Sequence, residues 1–323
     1  MYVITGGAGF IGSVLLWQLN KAGLDDIVVV DNLACSAKWR NLVKRSYVDY
    51  MHRDRFHELV RRNDLPWKVT AVVHLGACSS TTEQNADFLV ENNFHYSRDL
   101  CRYALDAGAR FIVASSAATY GDGSSGFSDD PAMLSFLRPL NMYAYSKQLF
   151  DLWLLRENLL TGVASLKFFN VYGPNEYHKG SMQSVAAKAY DQIVREGALR
   201  LFKSVVPFME DGEQKRDFVY VKDCAALITW LLEQWDKNGI LNVGTGKARS
   251  FNDLGRAVFA AMGQEARIEY IDMPETLRGK YQNFTEAEMD WLEEAGCPVR
   301  FTGLEEGVRD YVQGYLSKAD RYV

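Results

Sequence analysis

The segment Thr5-Gly6-Gly7-Ala8-Gly9-Phe10-Ile11-Gly12 constrains the fold of this chain more than any other. It follows the β-branched run Tyr2-Val3-Ile4 and opens a helical stretch over residues 10–20, so it reads as strand, tight turn and helix. Gly7, Gly9 and Gly12 have the G-x-G-x-x-G spacing. Lacking a Cβ, they permit the turn, let backbone approach a pyrophosphate, and allow close packing of helix on strand. The main chain of Gly7, Gly9, Phe10, Ile11 and Gly12 is therefore expected to cradle dinucleotide phosphates at the helix N-terminus.

The same texture continues. Short apolar runs at 27–30, 71–75, 111–114 and 162–169 alternate with helical stretches at 89–107 and 143–159. That order predicts an α/β fold with a doubly wound, Rossmann-type parallel sheet. After Tyr172-Gly173-Pro174 a polar loop precedes a helix at 182–196 and strands at 199–203 and 217–221, the latter expected to return to the cofactor domain. A helix at 223–234, a strand at 240–243, a helix at 251–261 and a strand at 268–271 follow. The expected division is a dinucleotide domain, residues 1–170 plus 217–247, and a smaller discontinuous α/β substrate domain, residues 171–216 plus 248–323. The last segments are free to return to the larger unit.

Composition limits the partners. A net charge of -5 argues against nucleic acid, while still allowing a locally basic pocket for an anionic ligand. No apolar run reaches membrane-spanning length, and with the first strand starting beside Met1 neither a membrane anchor nor a signal peptide is expected. The five cysteines are widely spaced without a CxxC pair, so no metal site is expected and the thiols read as reduced.

Three further groups of residues carry chemistry. Asp31 closes the second strand, where a carboxylate usually bonds the adenosine ribose 2′-hydroxyl and favours NAD. Lys38 and Arg53, with Asn32 as a polar neighbour, can instead neutralise the 2′-phosphate of NADP, and charge alone leaves both cofactors open. The small residues of Leu75-Gly76-Ala77-Cys78-Ser79 let cofactor lie close to backbone, and Asn92 can bond a nearby cofactor loop. Cys78 has no adjacent base and His74 lies among apolar residues, so both read as packing. Tyr143 and Lys147 stand four apart on one helix face, where the lysine can favour the phenolate and reach the nicotinamide ribose. Tyr143 can then accept a hydroxyl proton, with Ser116 donating to the reacting oxygen.

This order of glycine turn, serine strand and Tyr-x-x-x-Lys helix resembles the extended short-chain dehydrogenase/reductase family. Within it, Gly76-Ala77-Cys78-Ser79-Ser80-Thr81-Thr82-Glu83, Phe168-Phe169-Asn170-Val171-Tyr172-Gly173-Pro174 and His178-Lys179-Gly180-Ser181-Met182 are most similar to its ADP-heptose 6-epimerases. The resemblance covers nearly the whole chain. It implies oxidation and re-reduction at one sugar carbon, with one tightly held NADP per subunit and Tyr143 and Lys179 as acid/base residues for two orientations of the substrate. It further implies Val171 and Lys179 as cofactor contacts, and Asn170, Ser181, Lys188, Phe202, Arg216 and Tyr281 as substrate contacts. A homo-oligomer, typically a pentamer, in the bacterial cytoplasm is implied as well. Lys188 replaces a histidine common in that family, and Lys203-Ser204-Val205-Val206-Pro207 departs from its small polar loop. A nucleotide-sugar 4-epimerase or dehydratase, and a catalytically silent nucleotide-binding regulator, stay open at this point.

Overall fold

The computed structural model describes residues 1–275 and 282–323. In chain order the first elements are β1 (Tyr2–Thr5), α1 (Phe10–Lys21), β2 (Ile27–Asp31), β3 (Asp49–His52), α2 (Arg53–Arg62) and β4 (Ala71–His74). Then come α3 (Ala86–Leu89), α4 (Tyr96–Asp106), β5 (Arg110–Ser116), α5 (Met142–Arg156), β6 (Val163–Phe168) and β7 (Asn170–Tyr172). The remainder comprises α6 (Val185–Glu196), β8 (Leu199–Phe202), β9 (Lys215–Tyr220), α7 (Val221–Glu233) and β10 (Gly239–Val243). It closes with β11 (Ala248–Ser250), α8 (Phe251–Ala261), β12 (Ile268–Ile271), α9 (Asp290–Glu294) and α10 (Leu304–Tyr311).

Seven strands form a parallel sheet in the order β10-β6-β5-β4-β1-β2-β3. Its central strands β2 and β4 are buried at every position because both faces are covered. In β2, Ile27 and Val29 join the core beneath α1 and α7, while Val28 and Val30 join the core beneath α2, α4 and α5. The doubly wound fold is present as the periodicity predicts. The order reverses at β1, between β4 and β2, which opens a crevice beyond the strands' C-terminal ends.

Two smaller sheets hold the remaining strands. β9 pairs in parallel with β7 and antiparallel with β11, and β8 pairs in parallel with β12. This corrects the expectation that residues 217–221 rejoin the large sheet: β9 lies in the three-stranded sheet, and β10 extends the large one. The polar stretch after β2 holds an unanticipated strand and helix, β3 and α2. At the sheet edge β3 has exposed ends, so it lacks the apolar run that marks a buried strand.

Between α3 and α4 the helix widens into a π-helical stretch, Val90–His95. Such a widening can re-aim side chains at functional sites. Here it carries Asn92 and Asn93 into the interior.

Candidate active site

A cavity of about 730 Å³ runs along the C-terminal ends of the large sheet. Its floor is built from Thr5, Asp31, Leu75, Ser116 and Phe168, each ending or following a different parallel strand. The glycine turn forms one wall. Gly6 has φ +67, and a Cβ there would fall 2.6 Å from the Gly76 nitrogen. A Cβ on Gly12 would fall 2.2 Å from the Gly6 carbonyl oxygen, so this glycine is required for helix and turn to meet. Gly9 caps α1 without a side-chain hydrogen bond, and no acidic residue occupies the first helical turn. Gly9, Phe10, Ile11 and Gly12 all line the cavity, giving the positive end of α1 access to an anion. These features fit the pyrophosphate of a nicotinamide dinucleotide. Gly7 lies behind this wall, where a Cβ would press on the Ile4 carbonyl at 2.9 Å.

Asp31 is buried, with both carboxylate oxygens engaged. One accepts from the Ala8 amide at 2.9 Å; the other accepts from the Asn32 amide at 2.7 Å and from Lys38 Nζ at 2.9 Å. Asp31 thus holds the glycine turn and is itself neutralised by Lys38. Arg53 leaves the C-terminal end of β3, lies 4.9 Å over the Tyr96 ring, and donates to the Asn92 side-chain oxygen. Lys38, Arg53, Asn32 and Asn92 all face the cavity.

The redox end is assembled from β5 and α5. Asn141 caps α5 by accepting from the Ala144 amide at 2.9 Å, which starts the helix one residue before Tyr143. Tyr143 hydrogen-bonds the Ser116 hydroxyl, and burial raises its phenol pKa while that bond lowers it and nearby Cys78 raises it. One turn on, buried Lys147 donates to the Ala114 carbonyl at 2.7 Å. Burial pulls its pKa down to about 8, with Asp151 and Cys78 opposing the shift. Ser116, Tyr143 and Lys147 line one stretch of cavity with Leu75, Gly76, Ala77, Cys78 and Ser79.

Lys179 enters from elsewhere in the chain. The 3₁₀ turn Tyr177–Met182 presents it to the cavity, with Nζ 5.2 Å over the Phe10 ring. Burial lowers its pKa, Glu176 raises it, and Lys188 lowers it again. Asn170 and Val171 line the same space. Among the described residues, Ser181, Lys188, Phe202 and Arg216 lie outside the cavity lining. Ser181 and Lys188 are exposed, the latter on α6, and Phe202 ends β8. Arg216 is buried on β9, 5.6 Å over the Phe251 ring, and donates to the carbonyls of Lys215 and Gln282. Phe202 and Arg216 lie away from the large sheet's edge because β8 and β9 belong to the smaller sheets. Tyr281 lies outside the described residues.

Several supporting groups give no signal in the sequence. Buried Asn93 accepts from the Cys78 amide at 2.9 Å and donates to the Cys78 carbonyl and to Ser146 Oγ, each at 2.9 Å. It therefore ties the loop after β4 to α5. Beneath Lys147, Asp151 accepts from Ser115 and Ser165 and pairs with fully buried Lys167 at 3.2 Å. His74 behaves as a packing residue: buried, hydrogen-bonded to Thr5 and Ser97, its pKa held well below the usual value by burial.

A dinucleotide crevice and a Ser–Tyr–Lys group on one parallel sheet define a nicotinamide-dependent oxidoreductase-type site. The chain belongs to the NAD dependent epimerase/dehydratase family, whose sequence profile matches residues 2–244. It is 66% identical over 323 residues, covering 100% of both chains, to the Nitratidesulfovibrio vulgaris protein named ADP-L-glycero-D-manno-heptose-6-epimerase. The crystal structure of the Helicobacter pylori ADP-L-glycero-D-manno-heptose-6-epimerase superposes with a TM-score of 0.79 at 26% identity, covering 97% of this chain and 95% of that one. A Thermus thermophilus UDP-glucose 4-epimerase solved with NAD gives 0.75 at 26% identity, covering 97% of each chain. Among the described residues no helix is long and apolar enough to cross a membrane.

Proposed function

We propose that this chain is an ADP-glyceromanno-heptose 6-epimerase, interconverting ADP-D-glycero-β-D-manno-heptose and ADP-L-glycero-β-D-manno-heptose through transient oxidation at C6. The observation that carries this reading is Lys179, which faces the same cavity as Ser116, Tyr143 and Lys147 from a separate segment. When bound, the nicotinamide dinucleotide supplies the hydride acceptor and donor. Tyr143 Oη takes the proton of the C6 hydroxyl, and Ser116 Oγ donates to the same oxygen as it becomes a carbonyl. Lys147, held by the Ala114 carbonyl, supplies positive charge beside the tyrosine and a donor for the ribose. Lys179 Nζ serves as the second acid/base when the ketone presents its other face. The ketone has to stay in the cavity until hydride and proton return to it.

The test is direct. Each diastereomer, incubated separately with the holoprotein and followed by NMR, is expected to converge on the same mixture. Binding of either without interconversion would favour a nucleotide-binding regulator, and change at another carbon would favour a 4-epimerase or dehydratase.

NADP is the proposed cofactor, one held tightly per subunit. The support is Lys38 and Arg53, two cations that line the cavity, with Asp31 already accepting from Ala8, Asn32 and Lys38. Replacing both Lys38 and Arg53 by alanine is expected to weaken NADP about tenfold more than NAD, the scale of one charge-assisted hydrogen bond. Calorimetric titration of both cofactors checks this, and equal losses refute the charge selectivity. The substrate contacts Asn170, Ser181, Lys188, Phe202, Arg216 and Tyr281 are retained as proposals, as are a homopentameric assembly and a place in the bacterial cytoplasm. These rest on the family resemblance.

A further inference from the structure

The 3₁₀ turn Ala37–Leu42 carries Lys38 at its start and Asn41 near its end. Asn41 is only 3% exposed, so its carboxamide must find partners inside the protein. Those partners come from two distant parts of the chain. Nδ2 lies 2.9 Å from the Ala8 carbonyl in the glycine turn. It also lies 3.2 Å from the Asn175 carbonyl and 3.4 Å from Nδ1 of His178, the residue before Lys179. Burial pulls the His178 pKa down to about 4, so at neutral pH its ring is uncharged and Nδ1 can accept. Asn175 is itself fully buried with φ +74, and its side chain donates to Ser13 Oγ on α1 at 3.0 Å. Among the described residues Asn41 is absent from the cavity lining, so it does not reach cofactor or substrate directly.

We infer that Asn41 is a positioning residue whose carboxamide clamps the Lys179-bearing turn to the glycine turn and thereby fixes where Lys179 Nζ meets the cavity. The inference rests on the reading of Lys179 as an acid/base. Asn41 lies 33 positions from Ala8 and 134 from Asn175, so its side chain, beside the Asn175–Ser13 bond, joins segments distant in sequence. Small displacements of an acid/base group cost rate steeply, while substrate affinity drawn from other contacts survives.

A double-mutant cycle tests it in the cofactor-bound protein, using N41A, K179M and the pair. N41A is expected to lower kcat about tenfold, with KM for the nucleotide sugar changed by less than about twofold. In the K179M background the same change is expected to cost less than about twofold, because there is no longer an amine to misplace. An equal loss in both backgrounds, or a normal kcat in N41A, overturns the proposal. Wild-type turnover by K179M instead sinks the acid/base reading, and the proposal with it, so the two failures are told apart. A second readout needs no turnover: mass-spectrometric acetylation of Lys179 by acetic anhydride is expected to quicken several-fold in N41A, and an unchanged rate also overturns the proposal. Should N41A fail to fold, N41S carries the same cycle.

Discussion

Tyr143→Phe is expected to remove epimerisation almost entirely, by about 10²–10⁴-fold in kcat, the usual contribution of a positioned proton-transfer group. The argument is local. The phenol oxygen faces the Ser116 hydroxyl, while the ring is carried by α5, which the Asn141 cap starts and buried Ala144, Ser146 and Lys147 anchor. Phenylalanine keeps that ring and deletes only the oxygen. Cofactor content, read from nicotinamide absorbance, is therefore expected to stay near wild type, since Lys147 remains bonded to the Ala114 carbonyl. Normal turnover at normal cofactor content would reject Tyr143 as the acid/base. Loss of cofactor together with activity would point to a binding role.

Lys179→Met is expected to slow conversion in both directions by a similar order, about 10²-fold or more, because each direction uses Lys179 once, as base in oxidising one diastereomer or as acid in the reduction that forms it. Methionine retains much of the aliphatic stem that runs beside Phe10, so the turn should persist and most cofactor should remain bound. Oxidation of the diastereomer handled by Tyr143 should survive, seen as partial cofactor reduction when that sugar is added alone. Near-wild-type interconversion would eliminate the role. A loss confined to substrate affinity would reduce Lys179 to a phosphate contact, so affinity and turnover need measuring side by side. Lys188 sharpens the case: its charge is one of the influences that lower the Lys179 pKa, and a lowered value suits an amine that must both give and take a proton.

Local patterns determined much of this protein. The strand–glycine–helix segment, the alternation of buried runs with helices, and the i, i+4 pair Tyr143 and Lys147 are short-range features, so the doubly wound sheet and one helix face lining the cavity were legible in the sequence. The cofactor candidates Gly9, Phe10, Ile11, Gly12, Lys38 and Arg53, singled out from local patterns, all line the cavity. What the tertiary structure decided is whatever depends on segments meeting across the fold. β3 was invisible because an edge strand buries too little to need an apolar pattern. β9 went to the three-stranded sheet because an apolar run fixes that a strand exists, but only pairing with β7 and β11 fixes where. Asn93 and Lys167 look like ordinary polar residues in sequence; they become supports of the site through partners 15 to 53 positions away. Arg216 finds its Phe251 ring and main-chain carbonyl partners only in the fold, since none but Lys215 is a sequence neighbour. Asp31 stands in sequence simply as a carboxylate at a strand end, and only the fold supplies the Ala8 amide and Lys38 as its donors. A buried polar group takes its role from whichever donors or acceptors the fold brings within about 3 Å, and sequence spacing fixes those partners only within a single turn or strand.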